Sequence, residues 1–202
     1  MCIRDRMWTL AATGDPDLAL NNLIRLVEAL GDGASELLDR IAESRTFAVR
    51  LLGLFGASSM LGDHIVAHPQ EWKQLESGMP TSQEMMQLML DSVEATRVEG
   101  AGERVFRAAV TGSQADDAMR LAYRTILARI AAVDVAGTFV QRGQKPCKPV
   151  SFELVSRRLS DAADAALTTA LAVACAQVYD ADEEPARLAV LAMGKCGAQE
   201  LN

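Results

Sequence analysis

The residues with the clearest chemical potential lie at the C-terminal end of the chain, in the run RLAVLAMGKCGAQELN (Arg187 to Asn202). An apolar stretch followed by Gly194 and Lys195 predicts a buried strand, a glycine turn and the opening of a helix. Such a turn offers backbone N–H groups and a positive dipole end to an anion, and the lysine adds a charge. It is not a Walker A loop, which needs glycine at Ala189 and serine or threonine at Cys196. On spacing alone, a tight turn beside a surface lysine is favoured over a phosphate site.

Other polar groups are interpreted structurally. His64 and His68 stand four residues apart on one predicted helix face, but zinc needs more ligands and the sequence shows no third ligand nearby. Asp180 and Asp182 imitate a metal-binding pair, yet they belong to an acidic run that is typical of a solvated loop. The remaining groups are first-turn helix acids, Asp116 and Asp117, and core-filling methionines, Met85, Met86 and Met89.

Four stretches of the chain resemble one enzyme family. GKCGAQELN with its preceding strand is similar to the start of a nucleotidyltransferase domain in the bacterial glutamine synthetase adenylyltransferase/adenylyl-removing enzymes, where A-M-G-K-x-G-x-x-E-L-N leads into Asp-x-Asp. LLGLFGASSMLGDHIVAHPQEWKQL (Leu51 to Leu75) resembles the N-terminal helical region of that family, as do YRTILARIAAVDVAGT and RLSDAADAAL. The resemblance covers most of Pro16 to Asn202 and points to the first, adenylyl-removing copy of the domain.

The resemblance implies roles for individual residues. Gly194, Lys195 and Gly197 would contact phosphate or nucleotide, while Glu200 and Asn202 would support the motif, Glu200 by hydrogen bonding within the turn. The implied reaction is phosphorolysis of the AMP–tyrosine bond on glutamine synthetase to give ADP, with two aspartates holding two Mg²⁺ ions. Those aspartates are expected just past Asn202, so we expect a chain cut inside its motif and inactive alone.

The same resemblance implies the small molecules and partners. ATP, ADP and phosphate would be substrates or products of the complete enzyme, which adenylylates glutamine synthetase as well as deadenylylating it. Glutamine synthetase would be the protein partner, and a PII-type nitrogen signal protein a regulatory one.

Composition argues against several other classes. The net charge of -7 disfavours nucleic-acid binding, which depends on clustered lysine and arginine. The sequence has neither an apolar run of about 20 residues nor a signal peptide, so we expect a cytoplasmic protein without a membrane partner. Scattered cysteines without metal-ligand spacing predict reduced thiols at Cys2, Cys147, Cys175 and Cys196.

The elements that must position the C-terminal turn are mostly helices. Low aromatic content, 4%, with abundant alanine, leucine and methionine favours a mainly α fold. We predict a helical array over residues 16–179, with an apolar central helix at 45–57 and the only strand of consequence within 186–194, the first strand of a truncated α/β nucleotidyltransferase domain. Predicted helix caps are Ser35, Ser58 or Ser59, Thr81 or Ser82, Ser113 and Ser151.

The predicted organisation has four ranges. MCIRDR (1–6) resembles a translated sequencing-adapter remnant and is excluded from fold reasoning. Residues 7–149 form an N-terminal helical region, 150–185 a long helix with an acidic loop, and 186–202 the start of the nucleotidyltransferase domain. The alternative to an enzyme is a non-catalytic helical module that docks another protein. An Asp-x-Asp soon after Asn202 in the reading frame would favour the enzyme.

Overall fold

A computed structural model describes residues 3–98, 105–140, 143, 145–180, 188 and 190–201, and the side chains of these from Met7 onward. Met1, Cys2, Asp182 and Asn202 lie outside the described residues, and Ile3 to Arg6 belong to the first helix. Within the described part the elements are α1 (Ile3–Ala11), α2 (Pro16–Leu30), α3 (Ala34–Glu43), α4 (Arg45–Ala57), α5 (Ser59–Ala67), α6 (Ser82–Ser92), β1 (Thr96–Arg97), β2 (Phe106–Arg107), α7 (Gly112–Thr138), α8 (Phe152–Val178) and α9 (Gly194–Gly197), with 3₁₀ segments at Gly31–Gly33 and Pro69–Glu76. The mainly α prediction is confirmed.

The chain divides into two compact units. The first comprises Met1–Met79 and Leu127–Ser151, and the second Pro80–Ile126 and Phe152–Asn202. Each unit is therefore built from two separate stretches of sequence. The four ranges predicted from sequence stay predictions.

Helix α4 is the centre of the first unit. Nine of its residues, including Phe47, Leu51 and Phe55, are buried, because the helix is apolar almost all round and neighbouring helices cover it. Helices α2, α3 and α5 and the segment Pro69–Glu76 pack around it, with Trp72 2% exposed. The Trp72 ring lies 5.4 Å from that of Phe47, centroid to centroid and tilted by 57°. The predicted central helix is confirmed.

A buried amide joins three helices of this unit. The last carbonyls of a helix have no partner further along the same helix. Asn22 of α2, fully buried, donates from Nδ2 to the carbonyl oxygen of Phe55 in α4 at 3.2 Å. Gly62 of α5 makes room for it, since a Cβ there would lie 2.4 Å from Asn22 Nδ2.

Arg50 fixes the end of the 3₁₀ segment. Its Nη1 donates to the carbonyl oxygens of Leu75, Glu76 and Ser77 at 3.3, 2.8 and 2.8 Å. Burial lowers the pKa of Arg50, and Arg129 adds to the lowering, while Cys147 opposes it. The guanidinium thus acts as a structural hydrogen-bond donor that closes the segment onto α4.

The second unit is built on the packing of α6 against α8. Arg158 and Asp161 of α8 form an ion pair at 2.8 Å, and Ser82 at the start of α6 donates to the same carboxylate oxygen at 2.9 Å. At the other end of α8, Arg107 of β2 donates to the backbone oxygens of Tyr179 and Asp180. Both ends of this long helix are therefore held by charged side chains.

Capping explains most of the helix starts. Ser58 accepts from Leu61 N, and Thr81 forms a full capping box with Glu84, as expected from the sequence. The caps predicted at Ser35 and Ser113 are wrong, because α3 begins at Ala34 after Gly33 and α7 begins at Gly112. Gly33 precedes α3 and Gly112 is the first residue of α7, so each helix begins one residue before the predicted cap. Helix α8 begins directly after Ser151, as predicted.

Helix α8 is the one helix in the described part of the chain that is long and apolar enough to cross a membrane. Its Ala162, Ala165 and Thr169 are fully buried. A third of its most apolar window is buried, and a single helix that meets criteria of length and composition is weak evidence for a membrane span.

The strand predicted near the C-terminus is not seen in the described residues of that range. The described residues among 188–193 lie in no strand, and Leu191 and Met193 are each 85% exposed. A strand that is apolar on both faces needs neighbours on either side, and none of the described residues pairs with it. In the described part of the chain the strands are β1 and β2, an antiparallel pair in which Thr96 faces Arg107 and Arg97 faces Phe106.

Candidate functional site

The predicted glycine turn is present as a single helical turn, α9. Gly194 has a φ of 61°, in the left-handed region that favours glycine, and a Cβ added there would meet no heavy atom within 4 Å. Its carbonyl oxygen accepts from Ala198 N at 2.9 Å. The backbone at this position is therefore both dependent on glycine and open to the approach of a ligand.

Gly197 is required for a different reason. A Cβ on this residue would lie 2.4 Å from the carbonyl oxygen of Ala192 and 2.9 Å from its carbonyl carbon. Backbone at such a distance cannot yield as a flexible side chain can. The structure thus explains the second glycine of the motif by close packing of the turn, and the predicted contact of Gly197 with phosphate stays a prediction.

Lys195 and Glu200 close the turn through their backbones. Glu200 N donates to the carbonyl oxygen of Lys195 at 2.7 Å, and Gln199 N donates to that of Cys196 at 3.1 Å. This bond involves the main chain of Glu200, so the supporting role predicted for the residue stays a prediction. Asn202, the other supporting residue, lies outside the described residues.

A cleft of about 770 Å³ separates this turn from the first turns of α8. Its polar lining consists of Glu153, Ser156 and Arg157 on α8 and of Lys195, Gln199 and Glu200 on the turn. All of them belong to the second unit. The cleft therefore brings two of the predicted site residues, Lys195 and Glu200, together with a helix that sequence reasoning did not connect to them.

Arg157 makes the direct contact across the cleft. Its Nε donates to Gln199 Oε1 at 3.1 Å, between residues 42 positions apart in sequence. Gln199 has a φ of 57°, which is uncommon for a residue other than glycine. Sequence reasoning missed both residues, because a surface arginine on a helix and a glutamine after a glycine carry no local signal of such a contact.

The side chains that line the cleft include equal numbers of positive and negative charges. Arg157 and Lys195 supply two cations, and Glu153 and Glu200 two carboxylates. Ser156, 2% exposed, also lines the cleft, and its buried Oγ has no hydrogen-bond partner. Hydroxyl and cationic donors of this kind suit a ligand rich in acceptor oxygens, such as phosphate.

The expectation of a helix dipole at Gly194 needs correction. Helix α9 has only four residues and no side-chain cap, so its aligned peptide dipoles are few. The long helix at the cleft is α8, with 27 residues. Any favourable dipole at this cleft therefore comes from the first turn of α8.

The other candidates take structural positions. His64 is buried and its ring centroid lies 5.2 Å from that of His68, whose N–H donates to the His64 carbonyl oxygen at the end of α5. Met85 and Met89 are core residues, at 1% and 0% exposure. Asp116 and Asp117 lie beyond the first turn of α7, because the helix begins at Gly112, and Asp117 pairs with Arg120 at 3.1 Å.

The described cysteines, Cys147, Cys175 and Cys196, are free thiols, as predicted. Burial raises the pKa of Cys147, while the neighbouring Arg50 opposes the shift. Burial therefore favours the neutral thiol form of Cys147.

Metal ligands are not assembled in the described part of the chain. No group of three or more histidine, cysteine, aspartate or glutamate side chains there could hold a metal ion. Glu153 and Glu200 line the cleft as two carboxylates only. The described residues thus do not themselves fit the two-magnesium site that the family resemblance implies.

Comparison with known proteins gives consistent matches. The chain is 44% identical over 229 aligned positions to the bifunctional glutamine synthetase adenylyltransferase/adenylyl-removing enzyme of Corynebacterium diphtheriae, covering 97% of this chain and 22% of that protein. The proteins of the same name from Nocardia farcinica and Mycobacterium tuberculosis are 45% and 41% identical, over 97% and 98% of this chain and 19% and 18% of theirs. The chain thus spans about a fifth of the length of these curated relatives. No solved structure matches it.

A sequence profile of one family covers most of the chain. The profile described as glutamate-ammonia ligase adenylyltransferase matches residues 48–202, from the first turn of α4 through the C-terminal turn. The chain belongs to the glutamate-ammonia ligase adenylyltransferase family.

Proposed function

We propose that this chain is part of a bifunctional enzyme that adenylylates glutamine synthetase and removes AMP from it by phosphorolysis, and that the turn at 194–200 is a phosphate-binding element of the adenylyl-removing half. The observation that carries the proposal is the open backbone of Gly194, at positive φ, beside Lys195 and the cleft. The activity for which the relatives are named supports the proposed reaction class.

The chain's own residues would bind and orient the attacking phosphate. The open backbone of Gly194 would let the anion approach, and the next residue, Lys195, supplies a cation that lines the cleft. Arg157 adds a second cation, and Ser156 a buried hydroxyl. Glu153 and Glu200 repel a bare anion, so phosphate would bind on the side of the cleft away from these carboxylates.

The family also implies magnesium, ATP and ADP. The described residues do not assemble a metal site, so the ligands of magnesium would come from elsewhere in the enzyme. ATP is proposed as the donor for adenylylation and ADP as the product of phosphorolysis. Glutamine synthetase is proposed as the protein substrate, a PII-type signal protein as a regulator, and the cytoplasm as the location.

The reaction can be tested on the longer protein that contains this chain. Incubation with adenylylated glutamine synthetase, Mg²⁺ and phosphate is expected to release ADP in proportion to phosphate until saturation. The 202-residue chain alone is expected to release none, because two-metal phosphoryl transfer needs paired carboxylates that its described residues do not assemble. Binding of glutamine synthetase by the longer protein without phosphate-dependent ADP release would instead support the non-catalytic helical module.

Two substitutions distinguish the contribution of the backbone at Gly194 from that of the Lys195 side chain. Gly194→Val is expected to impair phosphorolysis more than Lys195→Ala, because a β-branched residue resists a φ of 61° and fills the open space above the backbone. Lys195→Ala removes one charged donor, a loss of about 1.5–3 kcal/mol in phosphate binding. Rates measured against phosphate concentration would compare them.

Thermal melts control this comparison, since neither variant is expected to unfold the helices: both residues are exposed. Wild-type kinetics for Gly194→Val would mean that the turn is merely structural.

A further inference from the structure

The turn that carries Lys195 lies at the surface of the second unit. Residues 197–200 are exposed, and Gln199 N and Glu200 N donate to carbonyl oxygens of the same turn. Gln199 occupies the left-handed region without being glycine, a conformation that persists where surrounding contacts impose it. Gln199 has such a contact in the bond from Arg157 Nε to its Oε1, at 3.1 Å.

Arg157 stands on a firm part of the second unit. It belongs to the second turn of α8, a 27-residue helix whose adjacent residue, Arg158, is 20% exposed and paired with Asp161 at 2.8 Å. Ser82 of α6 donates to that same carboxylate. The backbone that carries the Arg157 guanidinium is therefore well anchored, and the side chain can hold an exposed turn in place.

Position and orientation of the turn decide where Lys195 lies. Lys195 and Gln199 are linked through the bonds Glu200 N to Lys195 O and Gln199 N to Cys196 O, so the turn moves as one piece. Lys195, Gln199 and Arg157 line one cleft. A shift of Gln199 would carry the lysine and the open backbone of Gly194 with it.

We propose that Arg157 is a positioning residue of the phosphate site, which acts through Gln199 to hold the turn with Gly194 and Lys195 in its binding orientation. This inference rests on the proposed phosphate-binding role of the turn. Because α8 begins well before the turn in sequence, the site is completed by a helix that the family motif does not include.

The test is a double-mutant cycle on the 202-residue chain, with inorganic phosphate titrated at constant ionic strength and followed by phosphorus NMR. Arg157→Ala and Gln199→Ala are each expected to weaken phosphate binding about three- to tenfold. The double variant is expected to lose no more affinity than the single variant with the larger loss. Gln199→Ala leaves every charge in place, so its effect separates positioning from direct attraction by Arg157. Arg157→Lys, which keeps a donor, is expected to retain most of the affinity.

Controls separate the possible failures. Arg120→Ala removes one positive charge from an exposed ion pair on α7 and is expected to leave phosphate affinity unchanged. If wild-type chain binds no phosphate, or Lys195→Ala binds as well as wild type, the proposed phosphate site is wrong and the inference falls with it. If Lys195→Ala weakens binding while Gln199→Ala does not, or if the effects of Arg157→Ala and Gln199→Ala simply add, the site stands and the positioning role is overturned.

Discussion

Gly197→Val is expected to lower the rate of phosphorolysis by about a hundredfold in the longer protein, the scale associated with a misplacement of about 1 Å at a reacting site. The reason is steric. A Cβ at this position would lie 2.4 Å from the carbonyl oxygen of Ala192, and the main chain must move to relieve the contact. Movement of Gly197 displaces Lys195 and Gln199, which the same turn carries.

The measurement is the phosphate dependence of ADP release, with thermal melting as a check on folding. Gly78→Val is the matched control, because a Cβ at Gly78 would meet nothing within 4 Å. We expect the control to keep its rate and both proteins to melt like wild type, since Gly197 is exposed and outside the buried cores. A Gly197→Val enzyme with normal kinetics would show that the packing at Ala192 is irrelevant to the site.

Trp72→Ala is expected to lower the free energy of unfolding of the first unit by about 3–5 kcal/mol, the usual cost of removing a buried aromatic side chain. Trp72 is 2% exposed and loses its ring contact with Phe47 in this variant. The matched variant is Trp72→Phe, which keeps a ring against Phe47. It also removes the indole Nε1, a buried donor with no partner in the structure.

Trp72→Phe should therefore cost much less than Trp72→Ala. Denaturant unfolding followed by circular dichroism would measure both. Equal losses from the two variants would mean that a phenyl ring against Phe47 does not provide the stabilisation at this position.

The helices could be predicted from sequence because their signals are local. The apolar residues of α4 recur all round the helix. The Thr81–Glu84 capping box and the start of α8 after Ser151 each depend on residues that are close in sequence. Ser35 and Ser113 failed as caps because a preceding glycine adopted the helix start instead. Local patterns thus determine which segments are helical more firmly than where each helix begins.

The strand prediction failed, and half of the candidate site was missed, for one reason. Both features depend on partners that are distant in sequence. The apolar run at 188–193 has the composition of a buried strand, but a strand forms only where another strand supplies hydrogen bonds. Likewise, the motif around Gly194 is local, whereas the bond from Arg157 to Gln199 spans 42 positions and leaves no periodic trace. The pairing of Asn22 with Phe55 and Gly62 was hidden for the same reason.

The buried face of α8 has a consequence for how this helix can vary among relatives. Two of its buried hydroxyl residues bond to their own helix, with Ser160 Oγ donating to the Ser156 carbonyl oxygen and Thr169 Oγ1 to that of Ala165. Those hydroxyls therefore need nothing from α6, and the face is specified by side-chain volume and not by polarity. Over evolutionary time, alanine, serine and threonine should exchange freely along this face, whereas leucine or phenylalanine should be selected against.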